Sequence, residues 1–150
     1  MRIAPSRATL CVTTPELVVT GRNATPAAKT VLVCEDDSNL RTLVRLALGD
    51  GYRIVEAADG NEALALLRAT TPDVIVLDLM LPGRSGLELL GEIRRENGHA
   101  RTPVVVISAW AHSDEAAVAA GADRFVPKPF DPDDLESTVA ELLERNGSRG

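Results

Sequence analysis

The chain has 150 residues, 45% of them hydrophobic but only 3% aromatic, which suits one domain with a core of aliphatic side chains. Its formal net charge is −6, and because residues 1–29 carry four basic side chains and one acid, the acidic excess lies in residues 30–150. Such an acidic body attracts divalent cations and repels the phosphate backbone of nucleic acids, which argues against direct nucleic-acid binding.

Residues 1–28 are rich in Thr, Ala and Pro, and we expect them to form a flexible N-terminal extension. Two alternatives stay open: a small hairpin formed by the apolar pieces 10–12 and 17–19, or a start assigned too far upstream. The extension lacks the apolar stretch of a signal peptide, and no apolar run reaches the roughly 20 residues of a membrane span. The sequence therefore predicts a cytoplasmic protein without membrane insertion, with one domain at 29–147 and a short tail at 148–150.

From residue 30 onward, short apolar runs alternate with amphipathic segments that carry helix start and stop signals. Strands are predicted, in chain order, at 31–34, 52–57, 74–77, 103–107 and 124–126. Helices are predicted at 39–48, after the capping sequence 59–62, after the capping sequence 85–88, at 114–120, and from Asp131 to a stop at Gly147. Strands and helices that alternate through short loops indicate a parallel sheet with right-handed crossovers.

Some single residues of the loops and of the first helix also receive predictions. The periodicity of the first helix places Leu43 on its buried face, and Asp37 is interpreted as its N-cap. His99 and His112 lie in polar loops, and both are expected to be exposed to solvent.

Acidic, hydroxyl and basic side chains follow the predicted strands at the points where these strands end. The run 74–77 is apolar and unbroken, the pattern of a strand covered on both faces, and it ends in Asp78. Three other strands end in Glu35-Asp36, in Ser108 and in Lys128. Because the carboxyl ends of parallel strands meet at one edge of the sheet, where ligands bind, we expect these side chains to lie together.

Neighbouring carboxylates repel one another, and a cluster of them is tolerated when a cation or a proton joins it. Hard oxygen ligands suit Mg²⁺, while Lys128 adds a fixed positive charge and Ser108 a hydroxyl donor. Such a set suits the receipt of a phosphoryl group, because phosphoryl transfer depends mainly on positioning and charge neutralisation. Asp78 would be the nucleophile, and an acyl phosphate would be its product.

Four motifs give residues 30–146 a resemblance to a known family. They are Val-Cys-Glu-Asp-Asp-Ser after the first strand, Val-Leu-Asp-Leu-Met-Leu-Pro-Gly around Asp78, Ile-Ser-Ala at Ser108 and Lys-Pro-Phe at Lys128. In this order, at the strand ends, they resemble the receiver domain of two-component response regulators. The resemblance implies an α/β flavodoxin-like fold, a doubly wound three-layer sandwich of five helices around a five-stranded parallel sheet in the order 2-1-3-4-5.

The same resemblance implies the ligands of a metal ion and of a phosphoryl group. Asp36 and Asp78 would bind Mg²⁺ directly, Met80 would bind it through its backbone carbonyl, and Glu35 would act through water. Lys128 would contact the phosphoryl oxygens, and its peptide bond to the following proline would be cis.

Partners and switching also follow from the resemblance. Asp78 would receive its phosphoryl group from a sensor histidine kinase or a histidine phosphotransfer protein. Ser108 would then swing toward the phosphoryl group and Phe125 would turn inward. These movements would change the affinity of the face formed by the fourth helix, the fifth strand and the fifth helix for a downstream protein target. The chain would be a phosphorylation-controlled switch, with no enzyme activity beyond its own phosphorylation and dephosphorylation, and a monomer or a phosphorylation-dependent dimer.

Three positions depart from the commonest pattern of the family. Glu35 replaces an aspartate, and its longer side chain would alter how it holds the metal-bound waters. Ser108 stands where threonine is more usual, so the hydroxyl is kept and the methyl is lost. Phe125 lacks the hydroxyl of the tyrosine often found there, which favours a buried rotamer.

Other functions on this fold make different demands on the same positions. A flavodoxin needs a hydroxyl- and amide-rich loop for the FMN phosphate, where this chain has the acids 35–37. A phosphatase of the haloacid dehalogenase type needs a second aspartate at position 80, which is Met. A pseudo-receiver, a protein-interaction module that takes no phosphate, usually lacks one of the carboxylates or the lysine, and it is kept as the alternative.

Overall fold

The computed structural model describes residues 28–96, 98–109 and 113–148, without the side chains of 146–148. The strands are β1 (Lys29–Cys34), β2 (Tyr52–Ala57), β3 (Val74–Asp78), β4 (Val104–Ser108) and β5 (Arg124–Pro127). The helices are α1 (Ser38–Leu48), α2 (Gly60–Thr70), α3 (Gly86–Arg95), α4 (Asp114–Ala120) and α5 (Pro132–Ser148). Neighbouring strands are parallel, in the order β2-β1-β3-β4-β5, which confirms the predicted fold class.

The sheet is buried on both faces, because alternate residues of its strands point to opposite sides. On one face, Leu32 and Leu77 pack with apolar side chains of α2, α3 and α4. On the other face, Val33 and Val76 pack with apolar side chains of α1 and α5. The sheet between these two cores fixes the positions of the strand ends.

Among the described helices, none is long and apolar enough to cross a membrane.

Side-chain caps and a glycine set several helix ends where the sequence predicts them. Asp37 is the N-cap of α1, since its carboxylate accepts a hydrogen bond of 2.8 Å from the backbone N–H of Asn39. Ser85 and Glu88 form a reciprocal capping box at the start of α3. Gly121 ends α4 with φ 114°, in the left-handed region that glycine adopts readily. The capping box therefore fixes the point at which the loop after β3 ends and α3 begins.

Two details of the helices differ from the predictions. Leu43 is 36% exposed, because the buried stripe of α1 runs instead through Val44 and Leu48. Helix α5 continues through Gly147 and ends at Ser148, one residue later than expected, since a single glycine in a last turn is only a weak stop.

The prediction of an exposed His99 is wrong. His99 is buried, and its Nδ1 lies 3.0 Å from the hydroxyl oxygen of Thr102. Arg94 donates hydrogen bonds to the backbone carbonyls of both residues, at 3.2 and 2.6 Å, and so holds this loop against the end of α3. His112 and residues 1–27, which include the candidate hairpin, lie outside the described residues.

Candidate functional site

Three carboxylates meet at the carboxyl edge of the sheet. Glu35 and Asp36 directly follow β1, and Asp78 is the last residue of the central strand β3. Each offers a carboxylate oxygen that lies within 4.8 Å of the others, with Glu35 and Asp78 buried and Asp36 exposed. This arrangement of hard oxygen donors, one of them open to solvent, fits a small divalent cation such as Mg²⁺ that keeps part of its water shell.

Lys128 reaches this cluster from the loop that follows β5. Its Nζ lies 2.9 Å from Oε1 of Glu35 and 2.9 Å from Oδ2 of Asp78. Burial alone would lower the pKa of Lys128, but its hydrogen bonds to Asp78 and Glu35 outweigh that effect and raise the pKa. The ammonium is therefore a permanent positive charge between two buried carboxylates. The peptide bond from Lys128 to Pro129 is cis, as the family resemblance implies.

Glu35 is held from several sides at the end of β1. Its backbone N–H donates to the carbonyl of Ala57 at 3.0 Å, and its Oε2 accepts from the backbone N–H of Asp37 at 3.2 Å. Burial raises the pKa of Glu35 to about 7, and the nearby charge of Asp78 adds to the rise. The hydrogen bonds from Lys128 and from the Asp37 N–H act in the opposite direction and are outweighed. Without a metal ion, Glu35 thus holds a proton well above the usual range of a carboxylic acid.

This raised pKa predicts a pH dependence of stability. The folded protein binds the Glu35 proton more tightly than the unfolded chain does, so the stabilisation is complete below about pH 4.5 and disappears as the pH rises through about 7. In metal-free buffer, we expect a loss on the order of 3 kcal/mol. Urea unfolding of the wild type and of Glu35→Gln across this range measures it. If the free energy of unfolding changed with pH equally in the two proteins, the pKa of Glu35 would not be raised.

The loop after Asp78 packs closely against the start of α3. The backbone N–H of Met80 donates to Oδ1 of Asp78 at 3.0 Å, and the N–H of Gly86 donates to the carbonyl of Leu79 at 2.9 Å. A Cβ at position 86 would lie 2.7 Å from the carbonyl oxygen of Asp78 and even closer to Cα of Leu79. Gly86 therefore permits an approach of helix to strand end that no other residue allows.

Ser108 and Phe125 lie on the neighbouring strands. Ser108 is completely buried at the end of β4, and its carbonyl accepts a 2.8 Å hydrogen bond from the backbone N–H of Lys128. Phe125 pairs in register with Val106 and is half-buried against the core on the α2–α4 side of the sheet. A backbone hydrogen bond thus joins Ser108 to Lys128, the first residue after β5. Phe125 contributes to the packing of that core.

No sequence pattern marks Arg41 of α1, which contacts the loop 35–37 between β1 and α1. Its Nη1 donates to the backbone carbonyl of Glu35 at 2.7 Å, and its Nε donates to Oε1 of Glu56 at 3.0 Å. The only sign of these contacts in the sequence is an arginine one turn inside the helix that follows an acidic loop. The contact also requires that Glu56 lie on the adjoining strand, which becomes clear only from the sheet register.

Comparison with known proteins identifies relatives that share this domain. The family model of the response regulator receiver domain matches residues 31–140. The probable transcriptional regulatory protein TcrX of Mycobacterium tuberculosis is 39% identical over 129 residues, which cover 84% of this chain and 54% of that protein. The phosphate regulon transcriptional regulatory protein PhoB of Pseudomonas aeruginosa is 34% identical over 122 residues, 79% of this chain and 53% of that protein. The chain spans about half the length of these curated relatives.

Solved structures with this fold include complete receiver domains. The chemotaxis response regulator CheY4 of Vibrio cholerae matches with a TM-score of 0.73 and 30% identity, covering 77% of this chain and 99% of that one. A CheY-like receiver domain protein of Methanospirillum hungatei matches with a TM-score of 0.75 and 26% identity, covering 83% and 100%. On its sequence and its fold alike, this chain belongs to the receiver domain family of two-component response regulators.

Proposed function

We propose that this chain accepts a phosphoryl group on Asp78 and thereby acts as a phosphorylation-controlled switch. The observation that carries the proposal is the contact of one ammonium, that of Lys128, with two buried carboxylates at 2.9 Å, beside the exposed carboxylate of Asp36. A charge cluster of this kind suits phosphoryl transfer, in which the protein mainly positions the reactants and neutralises charge.

The donor set fits Mg²⁺, because it consists of oxygen atoms with one ligand open to solvent. Asp36 and Asp78 would hold the ion directly, Met80 would hold it through its backbone carbonyl, and Glu35 through a water molecule. When bound, the ion would neutralise negative charge on the phosphoryl oxygens.

The chain's own residues supply the remaining roles. A carboxylate oxygen of Asp78 forms the new bond to phosphorus, and the bond between phosphorus and the donor's leaving atom breaks. The backbone N–H of Met80 orients this carboxylate, and Lys128 exchanges its contact with Asp78 for one with a phosphoryl oxygen. Ser108 donates its hydroxyl to the phosphoryl group, and Phe125 follows this movement into the core.

Partners and domain limits are part of the same proposal. The phosphoryl donor is a sensor histidine kinase or a histidine phosphotransfer protein, and the reader of the signal is a downstream protein bound at α4, β5 and α5. The domain covers residues 29–147 in the cytoplasm, as a monomer or a phosphorylation-dependent dimer. The acidic surface gives no support to direct nucleic-acid binding by this chain.

Acetyl phosphate, a small phosphodonor, tests the proposal without a kinase. With Mg²⁺, the wild type is expected to gain the mass of one phosphoryl group, whereas Asp78→Asn gains none because an amide oxygen is a poor nucleophile. Intact-mass spectrometry measures the gain. Asp37→Asn is the matched control, since Asp37 is an exposed N-cap in the adjoining loop, and it is expected to label like the wild type.

The same experiment distinguishes the proposed switch from a pseudo-receiver. Labelling that survives in Asp78→Asn would refute Asp78 as the acceptor. A folded wild type that neither labels nor binds Mg²⁺ in a calorimetric titration would identify a non-phosphorylated interaction module.

A further inference from the structure

Arg41 connects the acidic loop, residues 35–37, with strand β2. Through Nη1 it donates to the carbonyl oxygen of Glu35 at 2.7 Å, and through Nε it forms an ion pair of 3.0 Å with Glu56 of β2. Its own backbone N–H donates to the carbonyl of Asp37 at 3.0 Å, in the first turn of α1. Its side chain is only 19% exposed, so both contacts are partly shielded from water.

The carbonyl that Arg41 binds belongs to the peptide between Glu35 and Asp36. Strand β1 pairs with both of its neighbours only as far as Cys34, so this carbonyl lies beyond the ladder of the sheet. A charged donor at 2.7 Å fixes the plane of this peptide, and that plane sets the direction in which the next side chain leaves the backbone.

We infer that Arg41 is a positioning residue for metal binding, which holds the carboxylate of Asp36 toward Asp78 before the ion arrives. The inference rests on the proposed function, because it assigns Asp36 a role in binding Mg²⁺. Without Arg41, the three-residue loop 35–37 would have to be ordered at the moment of binding, and that cost would weaken the affinity.

Electrostatics alone predicts the opposite direction. Arg41 and Arg45 lie one turn apart on α1, and both pair with Glu56. Loss of either positive charge near an acidic cluster should strengthen cation binding. Weaker Mg²⁺ binding after loss of Arg41 therefore reports positioning and not charge.

The experiment compares Arg41→Met with Arg45→Met, which removes a charge beside the same glutamate but does not alter the contact with Glu35. Calorimetric titration with Mg²⁺ is expected to show affinity about tenfold weaker in Arg41→Met, and equal to or slightly above wild type in Arg45→Met. At saturating Mg²⁺, the rate of labelling by acetyl phosphate is expected to return to near the wild-type value in both. A merely structural role would lower the stability of Arg41→Met but leave the Mg²⁺ affinity of the folded protein unchanged.

Equal Mg²⁺ affinities in the two variants would overturn the inference, and so would a labelling rate of Arg41→Met that Mg²⁺ cannot restore. Arg41→Gln removes the same contact with a shorter polar side chain, and it takes the place of Arg41→Met if circular dichroism shows that variant to be unfolded. Failure of the proposed function is distinct, because the wild type itself would then neither bind Mg²⁺ nor accept a phosphoryl group.

Discussion

Replacing Lys128 with methionine is expected to lower the free energy of unfolding of the metal-free protein by about 3 kcal/mol at about pH 8. The side chains of Glu35 and Asp78 are only 1% and 5% exposed, and among the described residues Lys128 is the cation that contacts both. Without it, the two buried carboxylates repel each other. The loss should shrink toward acidic pH, because Glu35 then takes up a proton, and Mg²⁺ should restore part of it. Urea unfolding with and without Mg²⁺ measures these effects.

Lys29 provides the matched control, as the other lysine of the chain. It lies exposed at the start of β1, at the opposite end of the strand that leads to Glu35. Lys29→Met removes an equal charge and should change stability by less than about 0.5 kcal/mol. A Lys128→Met protein as stable as Lys29→Met at every pH would show that the ion pairs do not offset the burial of the acids.

Gly86→Ala is expected to destabilise the fold by about 3 kcal/mol, although alanine normally favours a helix. The new methyl group would lie 2.7 Å from the carbonyl oxygen of Asp78 and 2.9 Å from the carbonyl carbon of Leu79, and backbone atoms cannot yield as a flexible side chain can. Relief requires that α3 or the end of β3 move. Since that movement displaces Asp78, the variant should also accept phosphoryl groups more slowly than the wild type.

Gly91 in the same helix offers the opposite case. Within the part of the chain that the structure describes, a Cβ there would meet only the guanidinium of Arg95, at 3.5 Å, which is ordinary contact with a flexible group. Gly91→Ala should therefore stabilise the protein by up to about 1 kcal/mol. Denaturant unfolding of both variants gives the comparison, and a Gly86→Ala protein that unfolds no earlier than the wild type would refute the close packing.

The strands and helices could be predicted from the sequence because its local signals agree with the tertiary structure. The apolar run 74–77 is the central strand, and Asp78 at its end marks the edge where the site lies. Asp37 and Ser85 cap the helices that their spacing predicts. Fold and candidate site follow from such signals because the acidic, hydroxyl and lysine side chains of the site lie at the strand ends or within two residues after them.

The sequence could not predict contacts that depend on how separate elements pack. The exposure of Leu43 depends on the exact rotation of α1, which a helical stripe leaves uncertain by one position. The burial of His99 depends on Arg94, which binds a loop that the sequence shows only as polar. The role inferred for Arg41 needs the register that brings Glu56 beside the acidic loop.

The position of Lys128 in the chain has a consequence during protein synthesis. During synthesis, Glu35 and Asp78 emerge from the ribosome before Lys128, because Lys128 follows the fifth strand in the sequence. A nascent chain that has emerged only through β4 holds these acids without the counter-charge of Lys128, so their burial would require a proton or a bound cation. We therefore expect the carboxylates of Glu35 and Asp78 to become buried together with Lys128 only after β5 has formed, and chains that end before β5 to be cleaved by proteases faster than the full chain.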